Sequence, residues 1–324
     1  MNHAPGAPDA VPDPAGEASS RQAHWSDSTA MGTTVHVCVV GDAATDARAD
    51  AFAGAAQDAH TTIADLDAAL SRFCPASDVS RLNAAPGAWI PVGPHLVAVA
   101  RAAEHYRALT RGAFDATLPA AAGAGPRIRW RATASGGWEA WLAPGHLIDF
   151  GAIAKGYAAD LARDRCRERA AGVLVSVGTS SIAMAGTPPH RDAWRIALSS
   201  PWQAVTETLG YVEASAGSFS LSGVRGVRIS SAPLIARHVT EPRTGRPAST
   251  DVCSVGVLGD DGMRSEALST ACLVLGLQRG LALCRAQAVD AVFCTVDGRI
   301  LATPGLAPRI SLRAGMQKKL EHLR

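Results

Sequence analysis

Nowhere in this chain of 324 residues do about eighteen uncharged apolar residues follow one another, the minimum a helix needs to cross a bilayer, so no membrane span is expected. No lysine- or arginine-rich run occurs either. The 31 basic and 29 acidic residues leave a formal charge of +2, which gives no electrostatic footprint for nucleic acid and excludes it as an expected partner. Seven cysteines, at positions 38, 74, 166, 253, 272, 284 and 294, form no C-x-x-C pair and no zinc-type Cys/His spacing. They read as reduced, mostly buried thiols of a cytoplasmic protein. The opening MNHAPGAPDAVPDPAGEASS lacks a basic segment followed by an apolar one, so no signal peptide is expected there. Residues 1–24 read as a disordered Ala/Pro-rich tail, and residues 314–324 as a basic C-terminal tail.

What the chain does have is apolar mass. Hydrophobic residues make up 47% and charged residues only 19%, ample for a large core between the two tails. Residues 25–313 read as one α+β unit, bilobal, with largely antiparallel sheets and packed helices. The stretch that organises it is FGAIAKGYAAD, Phe150 to Asp160. The apolar pair Leu147-Ile148 runs through Asp149 and Phe150 into Gly151, and a helix reaching Arg163 follows. A strand-to-helix turn of this kind presents free backbone N–H groups and the positive end of a helix dipole, with Lys155 as a point charge for phosphate oxygens. The plainer alternative is a tight turn at Gly151 and a solvated lysine.

Around that centre, MGTTVHVCVV (31–40) alternates like a half-buried strand, with Met31-Gly32-Thr33 at its start. Asp46 to Leu70 carries Ile63, Leu66 and Leu70 at helical spacing. The polar connector Ser71 to Asn83 includes a short helix start at Asp78, a second helix spans about His95 to Arg111, and Gly123 to Pro144 reads as a hairpin. Short β-runs then recur at Val173–Val177, Trp194–Leu198, Tyr211–Ala214, Ser218–Ser222 and Val227–Ser230, a rhythm that favours an antiparallel sheet over βαβ winding. The loop from Arg237 to Pro247 is dense in turn formers. A strand at Val252–Leu258, a helix at Ser265–Leu277 and a hairpin about Asp297-Gly298 close the fold. On the helix at Ser265–Leu277, Glu266 and Thr270 stand four apart on one face.

Six motifs follow in order: MGT; S-x5-S-D-x-S-R-L-N; G-x-F-D-x-T; D-x-G-A-I-A-K-G-Y-x-x-D; H-V-x-E-P-R-T-G-x-P; and E-A-L-S-T. Together, over about residues 31–303, they resemble the ApbE-type flavin transferases, the FAD:protein FMN transferases. The resemblance implies FAD as substrate, Mg²⁺ as cofactor, and transfer of FMN to a threonine of an acceptor flavoprotein with release of AMP. It implies a metal site of the Ala152 carbonyl, Glu266 and Thr270. It further implies nucleotide contacts at Met31, Asn83, Phe114, Asp115, Thr117, Lys155, Ser181, Arg243 and Thr244, and a base at His238, since a threonine hydroxyl needs activation at neutral pH.

The chain departs from the family pattern at four places. Arg237 precedes His238 where a second histidine is usual, Glu stands for Asp at 241 and 266, Thr179-Ser180-Ser181 or Gly178-Thr179-Ser180 aligns with a G-G-N or G-G-D turn, and Leu221-Ser222-Gly223 replaces T-S-G. Glu at 266 adds one C–C bond, about 1.5 Å, to a ligand for an ion that tolerates displaced ligands poorly. Two other readings stay open on these departures: a non-catalytic FAD-binding protein, and an Mg²⁺-dependent FAD hydrolase giving FMN and AMP.

Overall fold

A computed structural model describes residues 21–42, 46–118, 125–202, 207–223, 239–316 and 320–322. Strands β1 (Arg21–Ala30) and β2 (Thr33–Asp42) precede helices α1 (Asp46–Leu70) and α2 (Asp78–Ala84), strand β3 (Trp89–Val92) and helix α3 (Pro94–Leu109). Strands β4 (Thr117–Leu118), β5 (Ile128–Ala132), β6 (Trp138–Leu142) and β7 (Leu147–Ile148) lead into helix α4 (Ala154–Arg167). Next come β8 (Gly172–Val177), β9 (Ser181–Gly186), β10 (Trp194–Ser199), β11 (Thr208–Ala214), β12 (Gly217–Gly223), β13 (Thr240–Glu241), β14 (Arg246–Pro247) and β15 (Val252–Gly259). Helices α5 (Gly262–Leu275) and α6 (Leu277–Gln287) and strands β16 (Asp290–Thr295), β17 (Ile300–Ala302), β18 (Ile310–Leu312) and β19 (Leu320–His322) complete the order.

The centre is a nine-stranded sheet in the order β1-β2-β8-β9-β12-β15-β16-β17-β19, antiparallel except where β19 joins β17. Its period of two sorts side chains to two faces. Val35, Val37 and Val39 of β2 join the core beneath the helices, while Cys38 and Val40 point into a second core with Trp194, Ile196 and Val212. That second core is roofed by the sheet β10-β11-β18. Both faces are therefore covered, which is why β2 stays apolar from Val37 to Val40 without alternation. Each such buried valine contributes roughly 1.5–3 kcal/mol relative to exposure. A further sheet, β3-β6-β5, packs against α2 and α3.

The mixed, mainly antiparallel architecture agrees with the expectation from sequence, and α1 has the bounds read from its periodicity. Several details differ. Residues 21–24, assigned to the tail, belong to β1, an edge strand too polar to stand out by hydrophobic alternation. Met31-Gly32 does not begin a strand. It is the two-residue turn between β1 and β2, closed by the pair Ala30 and Thr33, with φ of 53° and 71° as a type I′ hairpin requires. The helix expected from Ser265 begins at Gly262 with Asp261 as its cap, and Gly276 separates it from α6, a helix not expected from the sequence. Three residues of the C-terminal tail form β19. The strand expected at Val227–Ser230 lies outside the described residues.

Candidate functional site

The site is built where α4 and α5 begin side by side against the sheet. Their backbones touch through two glycines: a Cβ on Gly156 would stand 2.3 Å from the Gly262 carbonyl oxygen, and one on Gly262 would stand 2.4 Å from that of Gly156. Asp160 locks the crossing. Its carboxylate accepts the Gly262 N–H at 2.6 Å, the Ser218 hydroxyl of β12 at 2.5 Å and the Arg163 guanidinium at 2.9 Å. Burial pushes this carboxyl up from the usual range, against the Ser218 hydrogen bond, the Arg163 charge and the Gly262 N–H, which pull it down.

This crossing brings Lys155 of α4 and Glu266 of α5 together. The Lys155 ammonium donates to the Gly151 carbonyl at 2.5 Å and stands 4.0 Å from Glu266 Oε1. Glu266 is buried, and Oε1 also accepts a short hydrogen bond from the Ser181 hydroxyl at the start of β9. Its other oxygen, Oε2, is buried with no hydrogen-bond partner. Ionised carboxylate oxygens are rarely left so, because the lost hydration is not replaced. One turn on, the Thr270 hydroxyl meets Ser222 at 3.2 Å, and Ser222 meets Ser269 at 2.8 Å. Among the described residues no three His, Cys, Asp or Glu side chains form a metal-binding group. A cation here would therefore take one carboxylate with hydroxyl and carbonyl oxygens, a donor set that suits a hard dication. The orphaned Oε2 is the observation that fits such an ion.

The turn before α4 differs from expectation. The Gly151 N–H is not free, since it donates to Asp149 Oδ1 at 2.9 Å, while Asp149 Oδ2 holds Arg72 at 3.1 Å. Gly151 and Ala152 are exposed. Arg72 in turn stacks over Phe73, 4.5 Å from the ring centroid, and Phe73 is 80% exposed. Sequence reasoning did not foresee the Arg72–Asp149 pair or the exposed Phe73 beside it. A large aromatic in the polar run Ser71–Asn83 was the available signal.

The other expected residues have the following partners. Asn83 bonds both backbone groups of Ile148, at 2.9 and 2.7 Å, and so pins β7 before the turn. Phe114 is buried in the core. Asp115 accepts from Thr117 Oγ1 and Arg127, each at 2.6 Å, closing a buried network beside β7. Met31 lies in its hairpin turn with its N–H on Asp67 at 2.7 Å, and the neighbouring turn at Gly178 leans on Thr33. Arg243 pairs with Glu241 at 2.5 Å and holds that carboxyl below the usual range, and Thr244 is exposed in the same turn. This loop reaches Gly112, whose Cβ position would be 3.9 Å from Arg243 Cγ. His238 lies outside the described residues; its neighbour Val239 is half-buried against the core.

A model of the ApbE family matches residues 31–293. The chain is similar to the FAD:protein FMN transferase of Treponema pallidum, 30% identical over 175 residues that cover 51% of this chain and 48% of that protein. It is also similar to the protein of that name from Rhodobacter capsulatus, 33% identical over 184 residues, 53% of this chain and 32% of that one. The aligned part spans about half the length of the curated relatives or less. In fold it resembles the ApbE protein of Thermotoga maritima, with a TM-score of 0.74 at 21% identity over 90% of this chain and 100% of that one. The flavin transferase ApbE of Vibrio cholerae superposes with a TM-score of 0.72 at 21% identity, covering 89% and 99%.

Proposed function

The chain belongs to the ApbE family, and we propose that it transfers FMN from FAD to a threonine hydroxyl of an acceptor protein, releasing AMP, with Mg²⁺ held at Glu266. The observation that carries this reading is the buried carboxylate whose Oε2 has no partner, facing a lysine at 4.0 Å from its other oxygen. Glu266 Oε2, the Thr270 hydroxyl and the Ala152 carbonyl are the oxygens that would hold the ion. When bound, it would offset charge that develops as the pyrophosphate bond breaks.

The chain's own groups divide the remaining work. Lys155 places a positive charge beside the turn, where phosphate oxygens gain from it. Phe73 offers an exposed ring face on which an aromatic ring system can stack. His238 takes the proton of the acceptor threonine as its oxygen bonds the FMN phosphorus, and the bond from that phosphorus to the AMP oxygen breaks. Relatives named FAD:protein FMN transferase support this assignment. Location in the cytoplasm is part of the proposal, supported by seven free thiols, six of them buried; among the described residues no helix is long and apolar enough to cross a membrane.

AMP release from FAD, measured with and without Mg²⁺ and a threonine-bearing acceptor, tests the reading. Release is expected only with both present, and Glu266→Ala should bring it to background. Release without the acceptor would make the protein a hydrolase, and FAD binding without release under any condition would make it a binder.

A further inference from the structure

We propose that Ser181 is a positioning residue for the cation site: it acts through Glu266 and not on the flavin, turning the carboxylate so that Oε2 is the oxygen left to meet the ion. This rests on the metal-site part of the function proposed above. Ser181 is 1% exposed and its hydroxyl donates to Glu266 Oε1. Lys155 approaches the same oxygen. Both donors therefore converge on one oxygen, and the other is left buried without a partner. Two equivalent oxygens would not be divided in this way by chance rotation, because a hydrogen bond to each would satisfy the buried charge better.

Ser181 is also a rigid donor. It is paired across the sheet to Val177 on one side and to Ser220 on the other, so its backbone is fixed by two ladders. Glu266, by contrast, has one more side-chain torsion than the aspartate that the family pattern places here, and about 1.5 Å more reach. An unrestrained glutamate would sample several rotamers at a site where a small hard ion demands fixed geometry. The hydroxyl of Ser181 removes that freedom and makes the longer acid usable. The substitution at 266 and the serine at 181 are thus two halves of one arrangement, 85 residues apart.

Mn²⁺, which shares the preference for carboxylate and carbonyl oxygen, is the probe, titrated into FAD-free protein and followed by its electron paramagnetic resonance signal. Ser181→Ala should weaken Mn²⁺ binding by about tenfold or more, the usual scale for a hydrogen bond to a charged group. In a Glu266→Asp background, whose shorter carboxylate stands back from the serine, the same change should cost less than about threefold, a coupling that double-mutant cycles isolate. Ser181→Cys keeps the volume with a weak donor; it should show the same loss, and serves as the test where the alanine variant does not fold. Equal losses in both backgrounds, or Mn²⁺ binding unchanged in both serine variants, would overturn the inference alone. Absence of Mn²⁺ uptake by the unaltered chain would overturn the metal-site reading with it.

Discussion

Met31 shows how a single residue carries information that its neighbours cannot. A non-glycine residue in the left-handed region costs roughly 1–2 kcal/mol, yet methionine stands at φ 53° in the β1–β2 turn. The hydrogen bond from its N–H to Asp67 helps to hold it there. Strain retained in a hairpin turn points to a use for the side chain, and under the proposed function that use is contact with the nucleotide. Met31→Gly should leave stability unchanged or raise it by about 1 kcal/mol, while weakening FAD binding several-fold. Chemical denaturation and FAD titration of one preparation check both halves; unchanged FAD affinity would remove Met31 from the site.

At the scale of elements, the α4–α5 crossing sets the distance between Lys155 and Glu266. Gly156→Ala drives a methyl into the Gly262 carbonyl, and overpacking of this kind costs about 1–3 kcal/mol. Because the helices must part, Mg²⁺-supported AMP release should fall as well. Gly54, exposed within α1 with no atom within 4 Å of where an added methyl would sit, is the control: Gly54→Ala should stabilise by about 1 kcal/mol. Denaturant midpoints of the two variants should move in opposite directions, and a shift of the same sign would contradict the close-contact account.

Elements with strong periodicity are legible in the sequence. Helix α1 is Ala-rich with its apolar residues on one face, and β2, β8 and β15 are rich in β-branched residues at the centre of the sheet. β1 escaped because RQAHWSDSTA is polar on an edge, held partly by Ser26 and Ser28 on the His60 ring of α1. α6 escaped because Gly276 and Gly280 read as breakers, although Gly280 packs beneath Phe293 where a side chain would clash. The motif order carried the family, because order survives without geometry. The closure of Asp115 by Arg127 and of Glu266 by Ser181 joins separate segments, and no local pattern records such pairs. The Gly151 N–H is a different case, satisfied by a side chain only two residues away.

For the whole molecule, both faces of one nine-stranded sheet are covered, and Lys155 and Glu266 meet where the helices α4 and α5 of one face begin. The proposed transfer of FMN to an acceptor threonine would join three parts: a cation at Glu266, phosphates near Lys155 and a base at His238. The measurement that tests it most directly is the intact mass of threonine-bearing acceptor domains incubated with the protein, FAD and Mg²⁺. The unaltered protein should add one FMN to the acceptor at threonine, and His238→Ala should slow that addition by roughly 100-fold or more while FAD binding stays within a few-fold. An acceptor that remains unmodified while FAD is cleaved to FMN and AMP, or equal labelling by His238→Ala, would contradict the account.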